Sequence, residues 1–136
     1  MAYIGKNMTW LRELNLSHTR VTDKGLAHLK ALTKLRKLYL SSTQVGNAGL
    51  AHLKGQAKLQ TLFLDSTKVT DAALTHLSRM ADLWALDLSD TGVTDAGLAH
   101  LKGLTKLRYL GLNRTKVTDK GANTLNKAIP RVIIER

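Results

Sequence analysis

Four histidines recur at a constant spacing in this 136-residue chain, and histidine is both a common metal ligand and a general base. These residues, His28, His52, His76 and His100, are each 24 residues apart. A zinc ion needs ligand nitrogens at about 2.0–2.1 Å, whereas helices of neighbouring repeats lie roughly 10 Å apart. We therefore expect these histidines to be packing or outer-face residues, and we expect no metal site. The alternative is a pH-sensitive stripe, because protonating all five histidines would add five charges to the formal +11.

Ser17 beside His18 has the residue types of a nucleophile and a base, and Asp87 or Asp90 could serve as the orienting acid. Adjacent strand residues point to opposite faces, so Ser17 and His18 are not expected to meet. The sequence has no cysteine, Gly-rich phosphate loop, HExxH motif or carboxylate pair at catalytic spacing. We predict a non-enzymatic protein that has no catalytic residues and no cofactor.

The 24-residue spacing extends far beyond the histidines and defines a repeat. The same interval separates the leucines at 11, 35, 59, 83 and 107, and it also carries Leu14, Leu16, Thr19 and Val21 forward through five units. The shared unit is LxxLxLxxTxVTDxGLxHLxxLTK, with local departures at Gly46-Asn47 and at Ala73. The elements that position any functional residue must therefore repeat as well.

Each unit contains two different hydrophobic periods. Leu14-x-Leu16 alternates with period two and predicts a short, half-buried strand. Leu26, Leu29 and Leu32 are three apart, which predicts an α-helical or 3₁₀ segment. Thr22-Asp23 stands where that helix begins, and we expect its side chains to accept hydrogen bonds from the free N–H groups there.

One unit cannot bury its own leucines, so the units must stack. Strands in a parallel ladder lie about 4.8 Å apart, whereas helices need roughly 10 Å, and the stack must therefore curve. We predict an α/β right-handed solenoid with a parallel sheet on its concave face and short helices on its convex face. The core should be uniform, because Gln56, Ala122 and Ala128 alone among 35 apolar positions are not Leu, Val or Met.

The five units resemble leucine-rich repeats over residues 11–125. They read LRELNLSHTRVTDKGLAHL, LRKLYLSSTQVGNAGLAHL, LQTLFLDSTKVTDAALTHL, LWALDLSDTGVTDAGLAHL and LRYLGLNRTKVTDKGANTL, and the TxVTDxGL wording resembles a bacterial subclass. The family usually has asparagine where this chain has Thr19, Thr43, Thr67, Thr91 and Thr115. We expect these threonines to form a ladder bonded to backbone. The resemblance also implies that ligand is captured on the concave face.

Both ends depart from the repeat. We assign residues 1–10 to an irregular N-terminal cap or truncated repeat, residues 11–127 to five repeats starting at 11, 35, 59, 83 and 107, and residues 128–136 to a C-terminal capping strand. The apolar edge Val132-Ile133-Ile134 could pair with a second copy to form a homodimer. Alternatively, it covers the last repeat of a monomer.

The outward positions of the predicted strands vary, whereas the core positions do not. Tyr39 and Phe63 fall on adjacent strands, with polar neighbours of the kind that rim a protein interface. The predicted ligand-binding residues are Tyr39, Phe63, Asp87, Asp65, Lys37 and Tyr109. We expect a protein or peptide partner, whose identity the sequence does not specify; simple cross-strand stacking is the alternative role of the aromatic pair.

The excess of 21 Lys and Arg over 10 Asp and Glu favours acidic partners. Repetition places lysines along one flank of the stack, which suggests an alternative function as an electrostatic binder of anionic polymers such as nucleic acid or an anionic surface. Its candidate residues are Lys34, Lys58, Lys106, Arg36 and Arg108. Nucleic-acid binding also needs groups that stack on bases, and we expect the aromatic residues on a different surface, so this alternative ranks second.

No run of 18 apolar residues is present, and residues 1–10 lack the basic and apolar regions of a secretory signal. We therefore expect no membrane insertion. The compartment is cytoplasmic if the chain is full length and unknown otherwise.

Overall fold

Each 24-residue unit folds into one coil, in which a three-residue strand is followed by a short helical segment, as the two hydrophobic periods predict. The computed structural model describes residues 1–136. The strands are β1 (Glu13–Asn15), β2 (Lys37–Tyr39), β3 (Thr61–Phe63), β4 (Ala85–Asp87), β5 (Tyr109–Gly111) and β6 (Ile133–Glu135). The helices are α1 (Ala2–Asn7), α2 (Asp23–Leu26), α3 (Asn47–Ala51), α4 (Asp71–Leu74), α5 (Asp95–Leu98) and α6 (Asp119–Ala128). Turns of 3₁₀ helix, Ala27–Leu29 and Ala99–Leu101, continue α2 and α5.

The six strands form one parallel sheet in the order β1-β2-β3-β4-β5-β6. Leu38 pairs with Leu14 on one side and with Leu62 on the other, so the register between strands equals the sequence repeat. Every strand therefore presents the same columns of side chains to each surface. The predicted solenoid is confirmed, with the sheet on the concave side and the helices on the convex side.

The core is one continuous cluster of mostly leucine side chains enclosed between the sheet and the helices. Leu38, Leu62 and Leu86 are fully buried, whereas their counterpart Leu14 in the first repeat is only partly buried. Gln56 is the polar exception inside this core: its Nε2 donates to the Leu29 carbonyl at 2.9 Å, while its Oε1 has no partner. Packing against neighbouring coils thus holds each repeat in place.

The threonine ladder is confirmed. In the central repeat the hydroxyl of Thr67, which is 8% exposed, donates to the Leu64 carbonyl at 2.6 Å. The other four make the equivalent bond at 2.5–2.7 Å: Thr19 to Leu16, Thr43 to Leu40, Thr91 to Leu88 and Thr115 to Leu112. Each bond closes the turn that leaves a strand, and it lies within one repeat.

The residue before each ladder threonine has a left-handed backbone. These residues are His18, Ser42, Ser66, Asp90 and Arg114, with φ between 54° and 58°. None of them is glycine, the residue that most readily adopts this conformation. The turn is held both by the threonine bond within its repeat and by a bond to the next coil, such as that from the Ser66 N–H to the Ser89 carbonyl at 2.9 Å.

The helices begin where the Thr-Asp pairs predict, but most of these side chains do not cap their own helix. Only Thr94 and Thr118 accept a bond from their own helix, from Ala96 and Gly121 respectively. The aspartates instead reach forward to the next coil: Asp71 accepts from the Thr94 backbone N–H at 2.8 Å and from its hydroxyl at 2.6 Å. The predicted capping is therefore confirmed for Thr94 and Thr118, whereas the aspartates bond to the neighbouring coil, which lies close enough to supply the partner.

This forward-reaching aspartate continues along most of the stack. Asp95 makes the same two bonds to Thr118, Asp23 accepts from the Gly46 N–H at 2.6 Å, and Asn47 exchanges two bonds with Thr70. The residue facing each carboxylate is a glycine, at 49, 97 and 121, where an added Cβ would collide with the aspartate. Asn47 replaces the aspartate in the second coil, and the position that faces it is Ala73 instead of glycine. The two departures from the repeat, at Gly46-Asn47 and at Ala73, therefore fall at the same junction between coils.

The two ends of the stack differ. Residues Ala2–Asn7 form a helix, which places Met1 and Ile4 against the first coil. At the other end β6 pairs in parallel with β5, Val132 is buried, and Ile133 is 67% exposed. The outer edge of β6 pairs with no strand of this chain, and dimerisation through it stays a prediction. None of the helices is long and apolar enough to cross a membrane.

Candidate functional site

The concave face carries an aromatic cluster built by β2, β3 and β5. Tyr39 and Phe63 meet edge to face, with ring centroids 5.4 Å apart and planes at 86°. Phe63 also contacts Tyr109 at 6.5 Å, although β4 lies between their strands. Ala85 on β4 is only 5% exposed and lacks the bulk to separate the two rings. We call Tyr39, Phe63 and Tyr109 the aromatic cluster.

Three carboxylates border the aromatic cluster. Asp65 accepts a hydrogen bond from the Ser41 hydroxyl at 2.6 Å, and Asp87 accepts one from the Ser89 backbone N–H at 2.9 Å. Asp87 lies over Gly111, where a side chain would collide with its carboxylate. Glu135 on the last strand accepts from the Tyr109 hydroxyl at 3.1 Å. Although the chain is strongly basic, its aromatic face is locally acidic.

Tyr109 responds to this acidic environment. Burial of the hydroxyl, the nearby charge of Asp87 and the hydrogen bond to Glu135 raise the pKa of Tyr109 to about 12. Tyr109 is therefore neutral at physiological pH, and its hydroxyl donates a hydrogen bond to Glu135. This bond orients the ring that lies against Phe63.

Lys37, predicted as a ligand-binding residue, forms an ion pair within the chain. Its ammonium pairs with Glu13 on β1 at 3.3 Å, and both side chains are about half exposed. The other five predicted concave residues lie together on β2 to β5 and the turn after β3. Glu135 joins them, and the 24-residue register could have indicated it, since Gly111↔Glu135 continues the column of Asp87.

The predicted anion-binding residues separate into two groups on the strand-entry flank. We use this name for the surface formed by the two columns that begin with Trp10 and Arg12, immediately before each strand. Lys34, Arg36 and Lys58 line one pocket together with Arg12, which the sequence analysis did not include. Lys106 instead binds Asp82 at 2.5 Å, and Arg108 donates to the Leu107 and Thr105 carbonyls. The structure thus brings together three of the five predicted cations.

The expectation that aromatic residues lie away from this flank was wrong. Trp84 occupies the column of Arg12 and Arg36, and Trp10 occupies the column of Lys34 and Lys58. The tryptophans are 56% and 63% exposed. Their positions in the 24-residue register already place them on the strand-entry flank.

The histidines do not converge. His28 and His100 are exposed, His52 and His76 are half-buried, and no three His, Asp or Glu side chains form a group that could hold a metal ion. His18 lies in the left-handed turn after β1, with φ 58°. None of these residues belongs to the concave cluster or to the cationic pocket.

Comparison with known proteins agrees with this architecture. A family model described as a leucine-rich repeat matches residues 7–30, 31–53 and 83–101. Internalin C2 of Listeria monocytogenes is similar to 99% of this chain, with a TM-score of 0.85 and 25% sequence identity, and the match covers 55% of the internalin. A leucine-rich-repeat protein of Leptospira interrogans is similar over 95% of the chain, with a TM-score of 0.74, 19% identity and 38% of its own length covered.

A second internalin of Listeria monocytogenes has a TM-score of 0.56 at 17% identity, with 98% of this chain and 49% of the internalin covered. The chain therefore spans about half or less of each of these proteins. No curated protein sequence matches the chain significantly.

Proposed function

Because this chain is a leucine-rich-repeat solenoid, we propose that it is a non-enzymatic protein that binds a protein or peptide partner on its concave face. The observation that carries the proposal is the half-buried aromatic cluster with three carboxylates at its border. Aromatic residues surrounded by polar groups supply much of the binding energy at protein interfaces.

The concave face also has the variability that specific recognition needs. The column through the middle of the strands contains Asn15, Tyr39, Phe63, Asp87, Gly111 and Glu135. The core column beside it contains leucine in five strands and isoleucine in the last. Substitutions in the outward column change the binding surface without changing the core, so the same fold can be adapted to a particular partner.

The chemistry of the face indicates the chemistry of the partner. Phe63 and the two tyrosines offer an apolar, edge-exposing surface that suits an aliphatic or aromatic anchor residue. Asp65, Asp87 and Glu135 contact no cationic side chain of this chain, so they can accept Lys or Arg from outside. We infer a peptide segment in which an apolar anchor lies near a basic residue.

Selection from a displayed random-peptide library tests this proposal. Peptides enriched on the wild-type protein should contain an apolar anchor and a basic residue, and they should stay bound at moderate salt. The double variant Tyr39→Ala/Phe63→Ala should weaken their binding at least about tenfold, which corresponds to roughly 1.4 kcal/mol. Asn15→Ala/Ser17→Ala, on the same face but outside the aromatic cluster, is the matched control.

Denaturant midpoints of both variants establish that they are folded before binding is compared. Enriched peptides that bind the Tyr39→Ala/Phe63→Ala variant as tightly as the wild type would place recognition elsewhere. Peptides that carry only acidic residues would contradict the inferred partner chemistry.

A further inference from the structure

Four cationic side chains from two consecutive repeats line one pocket of the strand-entry flank. Arg12, Lys34, Arg36 and Lys58 enclose about 190 Å³. None of the four forms a salt bridge or donates a side-chain hydrogen bond within the chain, in contrast to Lys106 and Arg108. Since one water molecule takes about 30 Å³ in the liquid, the pocket has room for a phosphate group with part of its hydration shell.

The backbone keeps these cations together. The N–H groups of Arg36 and Lys37 both donate to the Arg12 carbonyl, at 2.7 and 3.0 Å, so the first residues of β2 cannot move away from β1. Neighbouring strands lie about 4.8 Å apart, and like charges at this spacing repel each other. A bound anion relieves that repulsion, and the paired oxygens of a phosphate match the fork of an arginine guanidinium.

Tryptophans stand on both sides of the cationic pocket. The turns before β1 and before β2 are closed by equivalent backbone hydrogen bonds. The Leu11 N–H donates to the Met8 carbonyl, and the Leu35 N–H donates to the Leu32 carbonyl, both at 3.0 Å. Trp10 therefore occupies the place that Lys34 takes one coil later. The backbone N–H of Trp84 donates to the Gln60 carbonyl at 2.8 Å, just as the backbone N–H of Arg36 donates to the Arg12 carbonyl. Trp84 therefore continues the arginine row beyond Gln60.

From this arrangement we propose that the strand-entry flank binds single-stranded nucleic acid. Phosphates occupy the pocket of Arg12, Lys34, Arg36 and Lys58, and bases stack on Trp10 and Trp84. Proteins that bind single strands combine a cationic track with exposed aromatic rings. A duplex keeps the faces of its bases covered, so it can use the cations but not the indoles. This activity is separate from peptide binding, because it uses columns of the repeat that do not contribute to the aromatic cluster.

Intrinsic fluorescence gives a direct test, because the chain has two tryptophans and both lie on this flank. An oligothymidylate of about twelve nucleotides should quench the emission in a saturable way when excitation is chosen to avoid tyrosine. Four neutralised phosphates predict a slope near −2.8 for the logarithm of affinity against that of salt concentration. Binding should therefore weaken about 50-fold between 50 and 200 mM salt.

Charge-reversal variants locate the site. Lys34→Glu/Lys58→Glu should weaken binding of the oligonucleotide, followed by fluorescence anisotropy, at least about 30-fold because it acts within the pocket. Lys30→Glu/Lys54→Glu changes the net charge equally but lies outside the two columns of the flank, and it should weaken binding less than about threefold. Trp84→Ala should weaken binding about tenfold, whereas Trp84→Phe should keep most of the affinity because the ring remains.

Several results would overturn the proposal. Equal losses in the two charge-reversal variants would mean that net charge alone attracts the strand. Binding of a duplex as tight as that of a single strand, or a sulfated polysaccharide that binds more tightly without quenching tryptophan, would assign the pocket to another ligand. The Tyr39→Ala/Phe63→Ala variant should bind the oligonucleotide normally, so this proposal and the peptide-binding proposal can fail independently.

Discussion

The concave face lies along the short strands and the strand-entry flank lies immediately before them, and the charged side chains of the two surfaces differ in what they contact. On the concave face Lys37 pairs with Glu13, Ser41 donates to Asp65, and Tyr109 donates to Glu135. On the flank the four pocket cations form no salt bridge within the chain. Hydrogen bonds and an ion pair organise the charged groups of the concave face, whereas the pocket cations of the flank have no such bonds.

This difference predicts two modes of recognition. A surface whose polar groups already bond to one another binds through shape and apolar burial, and it loses little side-chain entropy on binding. A surface of free Lys and Arg side chains binds through charge and is sensitive to salt. Because both surfaces share one scaffold, the comparison is testable: a substitution in the core affects both surfaces, whereas a substitution on one surface affects that surface alone.

Truncation of Leu62 should produce the largest loss of stability and should affect both surfaces together. Leu62 is fully buried at the centre of β3, in the core that the whole stack shares. Leu62→Ala should lower the free energy of unfolding by about 2–5 kcal/mol because it leaves a cavity in the core. Urea denaturation followed by circular dichroism measures this loss. Destabilisation of less than about 1 kcal/mol would contradict the single shared core.

Replacement of Thr67 by valine should weaken the scaffold while leaving both surfaces unchanged. The buried hydroxyl donates to the Leu64 carbonyl, and Thr67→Val leaves that carbonyl without this bond. We expect a loss of about 1–3 kcal/mol in the free energy of unfolding. Thr75→Val is the control, because the exposed Thr75 makes a bond of the same spacing, to Ala72 at 2.8 Å, and should cost less than about 0.5 kcal/mol. Equal denaturation midpoints for the two variants would contradict this account.

Removal of the Asp82 charge should strengthen the flank alone. The hydrogen bond from Lys106 and its positive charge hold the pKa of Asp82 below its usual value, so this carboxylate is ionised at neutral pH and occupies Lys106. Asp82→Asn frees a fifth cation and should tighten oligonucleotide binding about fivefold, or roughly 1 kcal/mol. The salt slope should steepen by about 0.7. Asp119→Asn, which lies outside the two columns of the flank, controls for net charge.

Titration of Tyr109 should give the smallest effect and be confined to the concave face. Because its folded-state pKa is raised from 10.0 to about 12, its stabilising contribution is complete below pH 10 and is lost as the pH rises through 12. Absorbance of tyrosinate should show one tyrosine titrating near pH 12, and Tyr109→Phe should abolish that step. Glu135→Gln should shift the step to lower pH, whereas Lys34→Glu should leave it unchanged.

The sequence was sufficient to predict what lies within a repeat. The alternation of Leu14 and Leu16 predicted the strand, the three-residue spacing after Leu26 predicted the helical segment, and a threonine at a core-facing turn predicted the hydroxyl ladder. Each of these follows from the side-chain period of a single coil. The tryptophans of the flank were predictable in the same way, because the 24-residue register places them beside the cations.

Contacts between coils were not predictable from the period. Whether Asp71 bonds to its own helix or to Thr94 depends on the offset of the next coil, which no local pattern gives. The meeting of Phe63 and Tyr109 depends on the small residue at Ala85 and on the curvature of the sheet. The left-handed turns were hidden because their residues include serine, aspartate and arginine rather than glycine.

The forward-reaching aspartates have a consequence for how such a chain can change its length. The coil that contains Asp71 fits a following coil that has glycine at the facing position, as the coils with Gly97 and Gly121 do. Loss of residues 83–106 would bring Asp71 to Gly121 and keep the joint, whereas loss of residues 35–58 would press Asp23 against the methyl group of Ala73. The coils are therefore not interchangeable: those with glycine at the facing position can follow an aspartate, whereas coil three, with Ala73, is matched to the asparagine of coil two.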